Sequence, residues 1–577
     1  MSPPPALQSP LLDGVIARAP ADEHDLRGVT GFRSRGALAG RLTGPTPGLL
    51  LGALVLAIVL APLLVAEVPP LLDYPDHLAR AYIIQNQAAE PLLQRWYQVT
   101  WRLLGNLGGD VFMLALTPFM SVEAAGRLLL ATIQATTLAG TCLLHRALWG
   151  RWSLWPLAAI PVLWHGALMA GFLNFSLSVG FALIALALWV GMAERPLLQR
   201  LAVAVPAGLV LYFTHLMGFA LFGVLVAGLE FAALRRRRAT KAPLLRDGAR
   251  RLALLAATAA LPLLVYLLFR PSVSDGEMLG PWTFGPRARG LLMPLMGADE
   301  TLRVGLTVLY AAGALLLARS GKLAFRTALL PGMAVLFAAY LILPGTVDDN
   351  GHVPERIGIA LLLVAIAASR PRRLTRPAGL ALAALVAIAC IAQSASVTWA
   401  WRQSDLWYQQ FRQALAQVPV GAKLLVAAPG VASSENVLRQ GRGVPGFYVA
   451  LANKPALSHM PSLAVSRGAF VPLIFTHTQK QILAFRDEVA PLALNPTRPV
   501  AVADAFRTAE TAGPALADRY GAFDTVIVLY ADLLSPAERE RVKGHGTRFD
   551  NGAVLVIDNR AQDPDAPASQ GPTVAQR

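Results

Sequence analysis

Apolar residues run through the first four hundred positions of this chain in long blocks, separated by short polar stretches rich in Arg, Pro and Gly. A helix that crosses the hydrocarbon core of a membrane takes about 20 mostly apolar residues. Eleven blocks approach that length, near 48–66, 122–144, 153–169, 171–193, 200–214, 215–234, 252–269, 303–318, 327–344, 356–369 and 377–399. Only Thr214-His215 divides the fifth of these from the sixth. Beyond residue 400 the pattern changes to short apolar runs that predict buried strands. These are Lys423-Leu-Leu-Val-Ala-Ala, Ala469-Phe-Val-Pro-Leu-Ile-Phe, Thr525-Val-Ile-Val-Leu-Tyr and Ala553-Val-Leu-Val-Ile-Asp. Helical patterns at 405–417 and 536–542 intervene. The predicted fold is a polytopic α-helical membrane protein of about 11 spans, followed by a small C-terminal α/β domain.

Composition supports that division. The chain has 577 residues, 55% hydrophobic and 15% charged, against about 25% charged in an average soluble chain. A uniformly soluble protein is excluded. Cys142 and Cys390 each lie inside an apolar run, so a disulfide scaffold is excluded as well. The net charge of +16 raises nucleic acid as a partner until the charges are placed. With the N-terminus cytoplasmic, the cytoplasmic loops and tail hold 24 basic and 7 acidic residues, and the opposite loops 9 and 13. That bias is the positive-inside rule at work. The charge therefore reports topology, and no nucleic-acid partner is expected. Residues 1–47 read as a disordered cytoplasmic tail, 48–399 as the transmembrane domain with a first periplasmic loop at 67–121, 400–561 as a periplasmic α/β domain, and 562–577 as a frayed end.

Ionisable groups near a membrane are costly and often functional, and here they collect at the predicted outer side. Asp73, Asp76, His77 and Arg80 follow the first span, His165 and Asn174 flank one turn, and His215 sits at another. Longer loops hold Asp275, Glu277, Arg287 and Arg289, then Asp348, Asp349, His352, Glu355 and Arg356. Pro75 disfavours a helical Tyr74, which puts Asp73 in a turn, and Asp76 can cap the helix that follows. A carboxylate there could take a proton from an attacking hydroxyl or hold a cation. Arg356 offers a planar fork suited to phosphate, or serves as an interfacial anchor paired with Glu355. His165 and His215 read either as bundle histidines or as site residues, and Asn174 as a polar link between helices. No ligand spacing calls for a metal, although Asp348-Asp349 leaves a divalent ion open.

The segments Asp73-Tyr-Pro-Asp76-His77-Leu-Ala-Arg80-Ala-Tyr82 and Leu114-Ala-Leu-Thr-Pro-Phe-Met-Ser-Val-Glu-Ala-Ala-Gly-Arg127 carry a resemblance. Over about residues 48–400 the chain resembles the GT-C class of integral-membrane glycosyltransferases, which have a long acidic first loop with interfacial helices. The resemblance implies transfer of a sugar from a polyprenyl-phosphate carrier to a periplasmic acceptor (a lipid, glycan or protein) at a bacterial inner membrane. It implies Asp73 or Asp76 as general base, with inversion at the sugar carbon. Arg356, with Arg287 or Arg289 in reserve, would hold the phosphate, and His77 or His352 would position acceptor or phosphate. Two other functions remain open: a secondary transporter or lipid-linked-sugar flippase, and a non-catalytic scaffold.

Overall fold

In the computed structural model, residues 47–238, 244–269, 279–347, 351–429, 456–476, 481–494, 499–506 and 520–559 are described. The predicted tails up to residue 46 and from 562 lie outside them, as do Asp275, Glu277, Asp348 and Asp349.

Helix α1 (Pro47–Leu60) runs into a 3-10 turn, Ala61–Leu64. The first loop then folds as α2 (Tyr74–Asn86), α3 (Pro91–Trp96), β1 (Tyr97–Val99) and α4 (Gly108–Leu116). The bundle follows with α5 (Val122–Trp149), α6 (Gly166–Met169), α7 (Leu173–Gly191), α8 (Leu197–Thr214), α9 (Leu216–Arg238) and α10 (Leu244–Phe269). It is completed by α11 (Gly285–Leu292), α12 (Glu300–Arg319), β2 (Leu323–Phe325), α13 (Leu330–Ile342), α14 (Val353–Ala368), β3 (Ser369–Pro371) and α15 (Arg376–Leu415). Among the described residues, α5, α7, α8, α9, α10, α12 and α15 are long and apolar enough to cross a membrane. Leu263, Leu264, Leu267 and Leu268 of α10, and Val308, Leu315 and Leu316 of α12, point outward, as lipid-facing side chains should.

Helix α5 shows how local sequence sets these elements. Ser121 caps it by accepting from the Ala124 amide, and Gly150, at φ +70°, ends it in a left-handed turn. Its buried face packs on α7 where Gly140 meets Gly180. A Cβ on Gly140 would stand 2.9 Å from the Gly180 carbonyl oxygen, so this close crossing depends on the small residue.

Of the eleven predicted spans, seven are helices long enough to cross a membrane among the described residues, and the structure departs from the sequence reading in other places too. The block at 153–169 is not one span: Trp155–Trp164 is a 3-10 helix with Pro161 inside it, and the chain breaks at His165 before α6. Proline removes a helix donor and clashes with the preceding turn, and the segment is buried inside the bundle. The last span and the helix predicted at 405–417 are one 40-residue helix, α15, roughly 60 Å long at 1.5 Å per residue. Its far end joins bundle to tail, where Trp407 packs on Tyr530 at 5.6 Å. The run Ala469–Phe475 is no strand; Phe470 makes a single bridge to Lys423, and Pro472 would deny a ladder its donor.

The tail forms one five-stranded sheet. Its strands are β4 (Leu424–Ala428), β6 (Val500–Ala501), β7 (Thr525–Leu529), β8 (Thr547–Asp550) and β9 (Val554–Asp558), in the order β6-β4-β7-β9-β8. Strand β4 is parallel to β6 and β7, with Val426 beside Ile527, and β9 is antiparallel to β7 and β8. The remaining strand, β5 (Leu483–Phe485), leaves the tail and pairs with β1 of the first loop, Tyr97 opposite Phe485. First loop and tail are thus one folded unit at one end of the bundle.

The other end gathers the basic residues. There Glu230 of α9, only 5% exposed, accepts from Trp189 Nε1 at 3.0 Å and Arg200 Nη2 at 2.6 Å, and also pairs with Arg251. Removing one member of a buried ion cluster leaves uncompensated charge and costs about 3–5 kcal/mol. Glu230→Ala should lower the unfolding midpoint of detergent-solubilised protein accordingly, and an unchanged midpoint would refute this role.

Candidate functional site

The site begins with a backbone junction. The Leu72 and Asp73 amides donate to the carbonyls of Met169 (3.0 Å) and Ala170 (3.2 Å), so the entry to α2 is laid against the turn after α6. That turn needs Gly171, at φ +86°, where a Cβ would also come within 2.6 Å of the Asp73 nitrogen. Asp73 takes the N-cap position of α2 without a side-chain cap bond and is half-buried. Asp76 is not the cap that the sequence suggested, because the helix already starts at Tyr74 and Asp76 falls in its first turn.

Positions 73, 77 and 80 share one face of α2. His77 Nε2 lies 3.1 Å from the Gly171 carbonyl, so that nitrogen carries the proton and donates. Burial pushes the His77 imidazole below its usual range, with Asp110 opposing, Arg80 reinforcing and Asp76 opposing. A histidine kept neutral in the fold contributes stability that is complete above about pH 6.5 and is lost as pH falls below it, because the unfolded chain then takes up the proton. The unfolding midpoint should therefore fall between pH 7.5 and 5, and His77→Gln, which keeps a donor for Gly171, should flatten part of that slope. An identical slope in both proteins would rule out His77 as its source. Arg80 is committed elsewhere: Nε and Nη2 donate to the two oxygens of Asp110 at 2.9 and 3.1 Å in a buried fork. Asp110 in turn fixes α4 to α2.

Gly171 leads directly into Phe172 and Phe175, which form the floor of a second cluster. The Arg356 guanidinium lies 4.3 Å from the Phe172 ring centre and 5.3 Å from that of Phe175. Arg356 Nη1 stands 3.3 Å from His215 Nε2. His215 Nδ1 already accepts from the Met217 amide at 3.0 Å. A neutral imidazole has one acceptor nitrogen, so His215 can accept from only one of these two donors. Arg356 is 6% exposed, and its Nε has no hydrogen-bond partner. The carboxylates whose charges act on it are Glu355 and Asp73.

Beside it, His352 is held in a left-handed conformation at φ +61° and its ring lies tilted against Phe172 at 5.7 Å. His352 Nδ1 and Arg289 Nε both meet Glu355 Oε1, at 3.3 and 3.2 Å. The structure thus brings together Asp73, His77, His215, His352 and Arg356, with Arg289 at the rim. It does not bring Arg287 in: that side chain donates to the carbonyls of Thr283, Leu341 and Leu343, closing the end of α13, and stacks on Trp282 at 4.5 Å. His165 caps α6, its Nδ1 accepting from Leu168 at 3.0 Å. Asn174 bonds the Asn106 carbonyl at 2.8 Å and the Gly109 amide, joining α7 to the loop before α4.

Asp76 lies apart from this cluster. It is 1% exposed; His459 Nδ1 donates to Oδ2 at 2.6 Å and the Ser462 hydroxyl donates to Oδ1. His459, Ser462 and Asp110 escaped the sequence reading. The first two sit three apart in a short mixed run of the tail, Leu457-Ser-His-Met-Pro-Ser-Leu, and nothing in that run names a partner 383 residues away. A cleft of about 300 Å³ opens on the opposite flank of α2, lined by Tyr82, Glu123, Tyr408 and Arg412. It includes neither Asp73 nor Arg356, and Arg412 there is already paired with Glu67 at 2.6 Å. Among the described residues, no three His, Cys, Asp or Glu side chains converge to hold a metal.

No family model matches the chain, and no curated protein matches it. Two crystal structures of ArnT from Cupriavidus metallidurans are similar to it, one bound to undecaprenyl phosphate and one in the apo state. They share 13% and 14% identity with this chain at TM-scores of 0.41 and 0.42, covering 89% of it and 98% of their own chains. A likeness at that level assigns no role to any residue.

Proposed function

We propose that the chain transfers a sugar from a polyprenyl-phosphate carrier to an acceptor hydroxyl, with Asp73 as general base and Arg356 as the phosphate ligand. The observation that carries this reading is the buried Arg356 guanidinium, whose Nε lacks an acceptor and whose Nη1 competes with the Met217 amide for the one acceptor nitrogen of His215. Under-matched donors in a buried aromatic setting are a favourable place for an anion, since unmatched buried donors are costly. A planar guanidinium fork suits phosphate oxygens. A polyprenyl tail accounts for the site's place at the end of an apolar bundle.

The reaction balances on these groups. The acceptor oxygen bonds to the anomeric carbon as its proton passes to the Asp73 carboxylate. The carbon–oxygen bond to phosphate breaks, and its electron pair leaves on the phosphate. Arg356 stabilises the charge that builds there, the kind of fixed donor that matters most in a water-poor site. Attack opposite the leaving group inverts the anomeric centre. Asp76 is a poorer base, because both of its oxygens already accept hydrogen bonds. A transporter would keep its polar groups near mid-membrane, whereas these gather at one end.

The test is binding and turnover with purified protein. Polyprenyl phosphate should bind and the corresponding polyprenol should not, and polyprenyl-phosphate sugars should yield free polyprenyl phosphate with transfer to an acceptor. Equal binding of phosphate and alcohol would sink the reading.

A further inference from the structure

The tail is fastened to the first loop by more than apolar packing. Trp96 Nε1 donates to the Gly468 carbonyl at 2.9 Å. The Tyr97 hydroxyl donates to the Ala469 carbonyl at 3.1 Å and accepts from the Val471 amide at 2.9 Å. With the β1–β5 pairing, these contacts dock the two parts of the chain. Docking therefore does not require a buried carboxylate. Yet the 3-10 helix Ala456–Arg467 brings His459 and Ser462, 0% and 1% exposed, onto both oxygens of Asp76. Burying a carboxylate is costly even when paired, and what the arrangement provides in return is a fixed direction. It also lies one helical turn from Asp73.

The entry to α2 has two constraints on its geometry. On one side, backbone bonds tie Leu72 and Asp73 to the turn after α6. On the other, Asp76 is held by the tail. Asp73 is the N-cap residue of α2, so its backbone moves with the first turn of that helix. We propose that His459 and Ser462 are positioning residues: by clamping Asp76 they hold that first turn so that Asp73 faces Arg356, which makes the tail part of the transferase site. This rests on Asp73 being the base.

The test uses the full-length protein and five variants: His459→Ala, Ser462→Ala, His459→Asn, Asp76→Ala/His459→Ala and Asp73→Asn. Misplacing a reacting group by about 1 Å can cost on the order of 100-fold. His459→Ala and Ser462→Ala should lower kcat by about 10- to 100-fold with the donor KM unchanged. His459→Asn, whose amide nitrogen can stand near the place of Nδ1, should recover most of the loss. The double variant also removes the hold of Ser462 and should lose at least as much as His459→Ala, but less than the product of the two single alanine losses, because both act through Asp76. Hydrogen exchange should quicken in α2 of the alanine variants and stay unchanged in α7. A clamp that only stabilised would leave kcat intact in properly folded variants. Wild-type kcat in both alanine variants, with Asp73→Asn inactive, overturns the inference and leaves the base standing. Wild-type turnover in Asp73→Asn overturns the base and the positioning role built on it.

Discussion

Asp73→Asn should lower turnover by about 10²–10⁴-fold, the usual worth of a positioned general base, while leaving polyprenyl-phosphate affinity within about twofold. The substitution keeps the size of the side chain and removes its ability to take a proton. The junction with the turn after α6 should persist, because the Asp73 amide, not its carboxylate, makes the bond to Ala170. Donor affinity should persist because Arg356 keeps Glu355 as its neighbouring carboxylate. Single-turnover assays with a radiolabelled polyprenyl-phosphate sugar separate the two quantities. A variant with wild-type turnover would remove Asp73 from the chemistry, whatever its effect on binding.

The membrane domain was legible in the sequence because a lipid-facing helix announces itself by composition alone. Apolar blocks gave the places of all the long helices, and the arginines divided the two ends. Where a block was buried in protein instead of lipid, that logic weakened. The segment around Pro161 reads as a span by hydropathy, but it folds as a 3-10 helix because proline interrupts the backbone ladder and the bundle surrounds it. The α/β character of the tail was legible from β4, β7 and β9, whose short apolar, β-branched runs between turn residues suit buried strands.

The site was legible in part, and for the same reason. Charged residues beside apolar runs stand out, so Asp73, His77, His215, His352 and Arg356 could be named one by one. Their partners could not. Whether Arg80 faces a substrate or Asp110, and whether Arg287 meets phosphate or the carbonyls ending α13, depends on packing between elements tens of residues apart. Asp76 is the sharpest case. Its residue type and its place beside Asp73 suit a base equally well, and only the fold of the tail shows both of its oxygens occupied.

The same physics makes the behaviour of Arg356 testable from two directions. Arg356→Ala should weaken polyprenyl-phosphate binding by about 10- to 100-fold, since a hydrogen bond to a charged group contributes roughly 1.5–3 kcal/mol. It should also lower kcat by about 10²–10³-fold, as loss of one donor to a developing oxyanion does elsewhere. Arg356→Lys should recover only part of either loss, because an ammonium lacks the planar fork. Stability should move the other way. Without ligand, the wild-type guanidinium is buried with an unmatched Nε, so alanine removes a desolvated charge at the expense of its contact with Phe172. The unfolding midpoint of Arg356→Ala should therefore equal or exceed that of wild type in the absence of ligand, and added polyprenyl phosphate should raise only the wild-type midpoint. A residue kept for packing would show the reverse: a lower midpoint, with stabilisation by the phosphate unaltered. Residues shaped for a ligand commonly trade stability for function, and the sign of this single shift decides which kind of residue Arg356 is.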